Sequence, residues 1–194
     1  MNFVLTSEDY ITTEWSGGKT TELFIYPPKA NFKAQDYELR LSTATVEVVE
    51  STFTPLPSVG RTLMVLEGEM ELNHEGHHSI KLKEFDVDQF KGDWITTSKG
   101  KCIDFNLMIR SEHEGEISVI KLDEGEHKIY AFDESDKMNF VYLLKGALSV
   151  QTEKGDFVLN KENLLVLETV RKARFSSVNS AEFLIVAIKR ADDE

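Results

Sequence analysis

Residues Val65–Leu72 read VLEGEMEL, and Leu143–Val150 read LLKGALSV. The two octapeptides superimpose at an offset of 78 residues (Val65 on Leu143), with Gly68 over Gly146 and Leu72 over Val150. At the same offset DFNLMI (Asp104–Ile109) falls on EFLIVA (Glu182–Ala187), placing Phe105 over Phe183. Each octapeptide is an apolar run broken by a glycine turn, the pattern of strand, turn and strand. Two separated segments that share one offset imply a chain made of two similar β-units.

Working outward, the rest of the chain carries the same signal. YELRLSTATVEVV, CIDFNLMIR, NFVYLLKGALSVQTEKG and EFLIVAIKR are short, rich in β-branched and aromatic residues, and bounded by turn residues. No long window has helical periodicity, and only SEDY (Ser7–Tyr10) suggests a turn or short helix. Many short strands with regular turns predict an all-β chain of sandwich or barrel type. The units are expected over residues 1–112 and 113–194, with the junction inside SEHEGEISVIKLDEGEH (Ser111–His127). No low-complexity linker separates them, so they are expected to pack as one compact body.

Composition narrows the function classes. The chain has 194 residues and a net charge of −12. With no Lys/Arg-rich block, nucleic acid is an unexpected partner, because phosphate binding needs a basic footprint. No apolar run reaches the roughly 18 residues of a membrane helix, and the N-terminus MNFVLTSEDY has no signal-peptide pattern. A single cysteine, Cys102, forms no internal disulfide and suits a reducing compartment. A cytoplasmic protein without membrane or nucleic-acid partners is expected, a homodimer being left open, with the ADDE tail frayed.

The candidate chemistry lies on three strands. Along CIDFNLMIR, Ile103, Phe105, Leu107 and Ile109 make an apolar face, while Asp104, Asn106 and Met108 make the other. That polar face turns to water or lines a polar cavity. On YELRLSTATVEVV, Arg40, Ser42, Ala44 and Val46 share a side, which suits a cavity wall or an exposed edge strand. Arg61 shares a face with Leu63 and Val65. It reaches to the rim, pairs with a carboxylate such as Asp104, or awaits an anionic ligand, which its planar fork would fit. At the repeat offset Arg61 corresponds to Asn139, Asp104 to Glu182 and Asn106 to Leu184, so a polar pocket is expected in the first unit. That correspondence depends on a gapless offset, since a slip of one residue exchanges strand faces.

Other motifs read as structural. His74, His77 and His78 cluster in LNHEGHHS, but Gly76 marks a hairpin turn, and ligands on a hairpin tip lack the fixed geometry of a metal centre. No metal and no cofactor is expected. WSGGKT (Trp15–Thr20) reads as a tight turn rather than a phosphate loop. Cys102 reads as a small core thiol.

WSGGKTTELFIYPP, YELRLSTATVE, STFTPLPSVGRTLMVLEGEMEL, FKGDWITT and IDFNLMIR occur in the order found in the HutD/Ves family, which the chain resembles over about Tyr10–Arg110. The resemblance implies a cupin-superfamily bicupin, each unit a jelly roll (double-stranded β-helix). The chain departs from the family pattern at Ser58 and Gly60 in LPSVGR and at Thr21, all near the expected pocket mouth. Metal-binding cupins carry His-x-His and then a Glu seven residues before the turn glycine. Counting back seven from Gly68 reaches Arg61, and the stretch FTPLP contains no histidine.

The resemblance implies a metal-independent binding protein for a small carboxylate of the urocanate or formylglutamate type. Such a protein would act as a regulator linked to histidine utilisation or stress response. Arg61 would grip the carboxylate and Arg40 and Asn106 would orient it, with Ser42 beside them. Asp104 would hold the arginine or meet a ligand N–H, and Trp15 would cover the mouth. The alternative is a metal-free isomerase or hydrolase with Asp104 as general base. A third reading is a decayed pocket and a role through surface contacts.

Overall fold

Strand periodicity governs the whole chain, and the computed structural model describes residues 2–110, 113–133 and 136–190 as strands and turns. The ADDE tail and Ser111, the first junction residue, lie outside them. The strands are β1 (Phe3–Leu5), β2 (Ile11–Trp15), β3 (Gly18–Tyr26), β4 (Leu39–Val46), β5 (Glu50–Thr52), β6 (Val59–Gly68), β7 (Met70–His74), β8 (Ser79–Leu82), β9 (Val87–Lys91), β10 (Thr96–Lys99) and β11 (Cys102–Arg110). They continue as β12 (His113–Leu122), β13 (His127–Ala131), β14 (Asp136–Lys145), β15 (Ala147–Thr152), β16 (Gly155–Asn160), β17 (Leu164–Glu168), β18 (Lys172–Ser176) and β19 (Ala181–Arg190). Ser7–Asp9 form a turn closed by the Asp9 N–H donating to the Thr6 carbonyl at 2.9 Å, not a helix.

Two units emerge, Tyr10–Ser111 and Met1–Asp9 with Glu112–Glu194. The N-terminal residues therefore do not join the first unit, as a boundary at 112 would require. β1 pairs antiparallel with β17, Phe3 opposite Val166. Val4 packs on the second unit's core, and the Glu168 N–H donates to Asn2 Oδ1 at 2.8 Å. Pairing with β1 satisfies backbone groups that β17 would otherwise leave open at the sheet edge.

In the first unit a six-stranded antiparallel sheet (β2-β3-β4-β11-β6-β9) faces a four-stranded one (β5-β10-β7-β8). Val46, Leu63, Val65, Phe90 and Cys102 from the larger sheet pack on Met70, Leu72 and Leu82 from the smaller. In the second unit β1-β17-β14-β19-β12 and β13-β18-β15-β16 enclose Val141, Leu143, Val150, Leu159, Phe175, Phe183 and Ile185. Gly68 and Gly146, the glycines of the two octapeptides, both have φ +83°. A Cβ on Gly68 would meet the Lys101 carbonyl at 2.6 Å, and one on Gly146 would meet that of Ser180. Glycine is required at both turns.

The repeat holds through this turn but slips at the last strand. Val65 pairs with Asp104 and Leu63 with Asn106, whereas their counterparts Leu143 and Val141 pair with Phe183 and Ile185. Asp104 therefore corresponds to Phe183 and Asn106 to Ile185, not to Glu182 and Leu184 as the gapless offset implied. The loop entering β19 (residues 177–180) is longer than the one entering β11 (residues 100–101), which shifts the alignment. Glu182 lies on the opposite face, paired with Lys121 at 2.8 Å and Lys145 at 3.1 Å. In this register the contrast between the units is sharper. Arg61, Asp104 and Asn106 become Asn139, Phe183 and Ile185.

Candidate functional site

Three neighbouring strands of the first unit set the wall of the site. Because register brings like-facing residues opposite one another, the wall is built in rows. Arg40, Met108 and Arg61 form one row, Ser42, Asn106 and Leu63 the next, and Ala44, Asp104 and Val65 the third. Arg40 and Arg61 thus stand two strand spacings apart, about 10 Å at the backbone, on either side of Met108.

Of the two readings of β11, the solvated face is excluded. Asp104 and Asn106 are buried on one side, and Phe105 and Leu107 are buried on the other. The polar side opens into a cavity of about 640 Å³, whose lining includes Trp15, Arg40, Arg61, Asp104 and Asn106. Phe32, Phe53 and Leu56 supply apolar lining, and Thr13, Thr20 and Thr52 supply hydroxyls. A cavity of this size that combines apolar walls with convergent polar groups suits a small organic ligand.

Arg61 is only 8% exposed. Its guanidinium lies over the Phe53 ring at 4.6 Å and the Phe90 ring at 5.0 Å, the geometry of cation–π stacking. Nη2 donates to Asn106 Oδ1 at 2.7 Å, and Asn106 Nδ2 in turn donates to Asp104 Oδ1. The expected Arg61–Asp104 pair is therefore relayed through an amide. Among the described residues no carboxylate lies within ion-pair distance of Arg61, and its buried Nε has no hydrogen-bond partner.

Burial shifts both charged groups toward their neutral forms. Asp104 is pushed up to about 7, with the Arg61 charge and the Asn106 amide opposing the shift. Arg61 is drawn down to about 10 by burial, against the pull of Asp104, and remains a cation at neutral pH. Burial, with the nearby Asp104 charge, pushes the Cys102 thiol up to about 12. It is an inert core thiol, as expected.

Arg40 is differently held. Its Nε donates to Glu22 Oε2 at 2.7 Å, its Nη1 donates to Ser42 Oγ at 3.1 Å, and its guanidinium stacks over Phe32 at 4.2 Å. Ser42 supports Arg40 and is not part of the cavity lining. Glu22 escaped the sequence reading because a β-bulge between Glu22 and Phe24 shifts its register against β4. The available signal was a lone acidic residue in the otherwise neutral TTELF.

Trp15 and its turn close one edge. WSGGKT is the β2–β3 hairpin, as expected, with Trp15 opposite Gly18. A Cβ on Gly17 would meet the indole ring of Trp15, so the ring lies folded over this glycine and would have to move for any larger residue there. Trp15 is 39% exposed, placing an apolar plate at the cavity edge.

The histidines sit otherwise than the sequence suggested. Gly76, at φ +75°, does make the hairpin turn, but His74 is no tip residue. It ends β7 facing inward and is fully buried, with Nε2 at 2.8 Å from Asp88 Oδ2. His78 Nε2 is 3.0 Å from Asp88 Oδ1. None of these three residues lines the cavity.

A metal ion of the kind bound in metal-dependent cupins does not fit the cavity itself. The Arg61 guanidinium repels a cation, and among the described residues the buried carboxyl that lines the cavity, Asp104, is pushed up to about 7. No reaction step through a metal is derived for this site.

The HutD family model matches residues 7–185. No curated protein sequence matches this chain. Among solved structures, a conserved protein of unknown function from Pseudomonas aeruginosa PAO1 is similar at 19% identity, over 97% of this chain and 99% of that one, with a TM-score of 0.82. HutD from Pseudomonas fluorescens SBW25 is similar at 17% identity, over 99% and 100%, with a TM-score of 0.72. The pirin YhhW of Escherichia coli, in complex with nickel(II), is similar at 11% identity, over 98% and 100%, with a TM-score of 0.75. These likenesses show the fold, an all-β jelly roll of cupin type.

Proposed function

The chain belongs to the HutD family, and from that premise and the cavity chemistry we propose that it binds a small carboxylate without a metal. We further propose that this binding serves a regulatory role linked to histidine utilisation or stress response. One observation carries the reading. Arg61 is a buried cation on a cavity wall, with no carboxylate in ion-pair range among the described residues. A ligand carboxylate would supply the missing negative charge, and guanidinium presents two parallel N–H donors to it.

In this reading Arg61 takes the carboxylate and Asn106 holds the guanidinium fork in place. Arg40, already neutralised by Glu22, orients a second polar group of the ligand, while Trp15, Phe32 and Phe53 bury its apolar part. Asp104, protonated, donates to the ligand rather than repelling it. Urocanate and formylglutamate are the first ligands to test. Calorimetric titration should give one site per chain for one of them, weakened about 10–100-fold in Arg61→Ala. If neither these nor unrelated carboxylates bind, or if Arg61→Ala binds equally well, the proposal fails.

A carboxyl near pH 7 in a cavity also favours a second reading, a metal-free isomerase or hydrolase with Asp104 as general base. Turnover of a bound ligand that disappears in Asp104→Asn would establish it.

A further inference from the structure

The cluster on β7, β9 and the hairpin between β7 and β8 lies outside the cavity and takes no part in the proposed carboxylate binding. Asp88 is buried on the inward face of β9, opposite Leu63. Among the described residues its ion-pair partners are the imidazoles of His74 and His78, and no Lys or Arg reaches it. A buried carboxylate needs a counter-charge, and here only a protonated imidazole or an added cation can provide one.

Thr96 Oγ1 lies 2.8 Å from His74 Nδ1 and 3.2 Å from the Trp94 carbonyl, and its single proton can serve either contact. His74 Nε2 faces Asp88 Oδ2 at 2.8 Å, so the ring either gives the proton of that nitrogen to the carboxylate or holds its proton on Nδ1 toward Thr96 and turns the Nε2 lone pair to a cation shared with Asp88. In the second arrangement the Nδ1–H bond to Thr96 is the outer-shell contact that fixes the tautomer of a metal-bound histidine.

We propose that His74 Nε2, His78 Nε2 and the Asp88 carboxylate form a binding site for a divalent transition-metal ion of the zinc class. One donor atom from each residue lies within 4.8 Å of the others. Zinc takes nitrogen and oxygen ligands at about 2.0–2.2 Å in tetrahedral array, so these groups close around it with small side-chain movements. His78 is 39% exposed at its side chain, giving the ion an entrance and a fourth position open to water. His77 stacks on Trp94 at 3.7 Å and is not one of the three ligands. The ion would clamp the β7–β8 hairpin to β9 one ring away from the cavity, because Phe90 contacts His74 at 4.5 Å and Arg61 at 5.0 Å.

The test uses the tag-free full chain, with Zn²⁺ followed by calorimetry and Co²⁺ by its visible ligand-field absorption. One equivalent is expected to bind, with a tetrahedral cobalt spectrum and a raised melting temperature. Thr96→Val should weaken binding about 10–100-fold, as outer-shell losses do, and His78→Ala or Asp88→Asn by more. His77→Ala should bind as the parent does. His78 is partly exposed, so its variant is expected to fold, which its melting curve checks. The proposal is overturned if neither ion binds stoichiometrically, or if binding survives His78→Ala and Asp88→Asn. Loss in His77→Ala with retention in His78→Ala would overturn it equally, by revealing adventitious capture at the hairpin surface.

Discussion

Arg61 and Asp104 face the same cavity but touch only through Asn106, whose amide accepts from the arginine and donates to the carboxyl. The amide keeps cation and carboxyl out of direct contact. Burial outweighs the Arg61 charge and the Asn106 amide and pushes Asp104 toward its neutral form, while Arg61 keeps its charge available. The site's response to ligand and pH follows from that separation.

Arg61→Ala should weaken carboxylate binding about 10–100-fold, since a charged hydrogen bond contributes about 1.5–3 kcal/mol. Calorimetry measures the loss, and a thermal melt confirms that the variant remains folded. Arg61→Lys should recover only part of the affinity, because an ammonium lacks the planar fork.

Asp104 makes both binding and stability depend on pH. Its pKa rises from 3.8 to about 7 on folding. Between those values the folded chain retains a proton that the unfolded chain has lost, so stability falls as pH rises through the interval. The change should be on the order of a few kcal/mol. Carboxylate affinity should also decline above pH 7, by up to about tenfold per pH unit, as an ionised Asp104 repels the ligand. In Asp104→Asn both dependences should flatten, as urea melts and titrations across pH 5–9 would show (a range of roughly two units about 7).

Glu22→Gln should release Arg40 from its counter-charge. Breaking the 2.7 Å ion pair should cost about 1–3 kcal/mol of stability, because a charged hydrogen bond becomes a neutral one. Anion affinity should rise at the same time, since a second unneutralised guanidinium then faces the cavity. Opposite signs in denaturation and titration distinguish this from general unfolding.

Gly68→Ala should lose at least about 1–3 kcal/mol, as it places a Cβ in left-handed backbone against the Lys101 carbonyl. Gly146→Ala should behave alike against Ser180. Urea midpoints of the two variants measure the equivalence of the two turns.

Much of the fold was legible because strand chemistry is local. Alternation along β4 and β11 sorted Arg40, Ser42, Asp104 and Asn106 onto one face, and the paired glycines marked equivalent turns. What escaped depended on features that pattern does not carry. Loop length before β19 set the register of Phe183 and Ile185, and a bulge in β3 aimed Glu22 at Arg40. Asp88 meets His74 and His78 only because β9 and β7 belong to facing sheets. The relay through Asn106 was equally hidden, since alternation assigns a face but not which neighbours on it bond.

The slip at β19 also fixes where the chemistry of one barrel would have to be written into the other. Copying the cavity wall across the repeat means changing Asn139, Phe183 and Ile185, three buried positions on one face. Glu182, which a gapless alignment would retain as the acid, faces away between two lysines. An engineer who grafted by sequence offset would build a charged outer surface. One who grafted by strand register would hollow a second receptor from the apolar core.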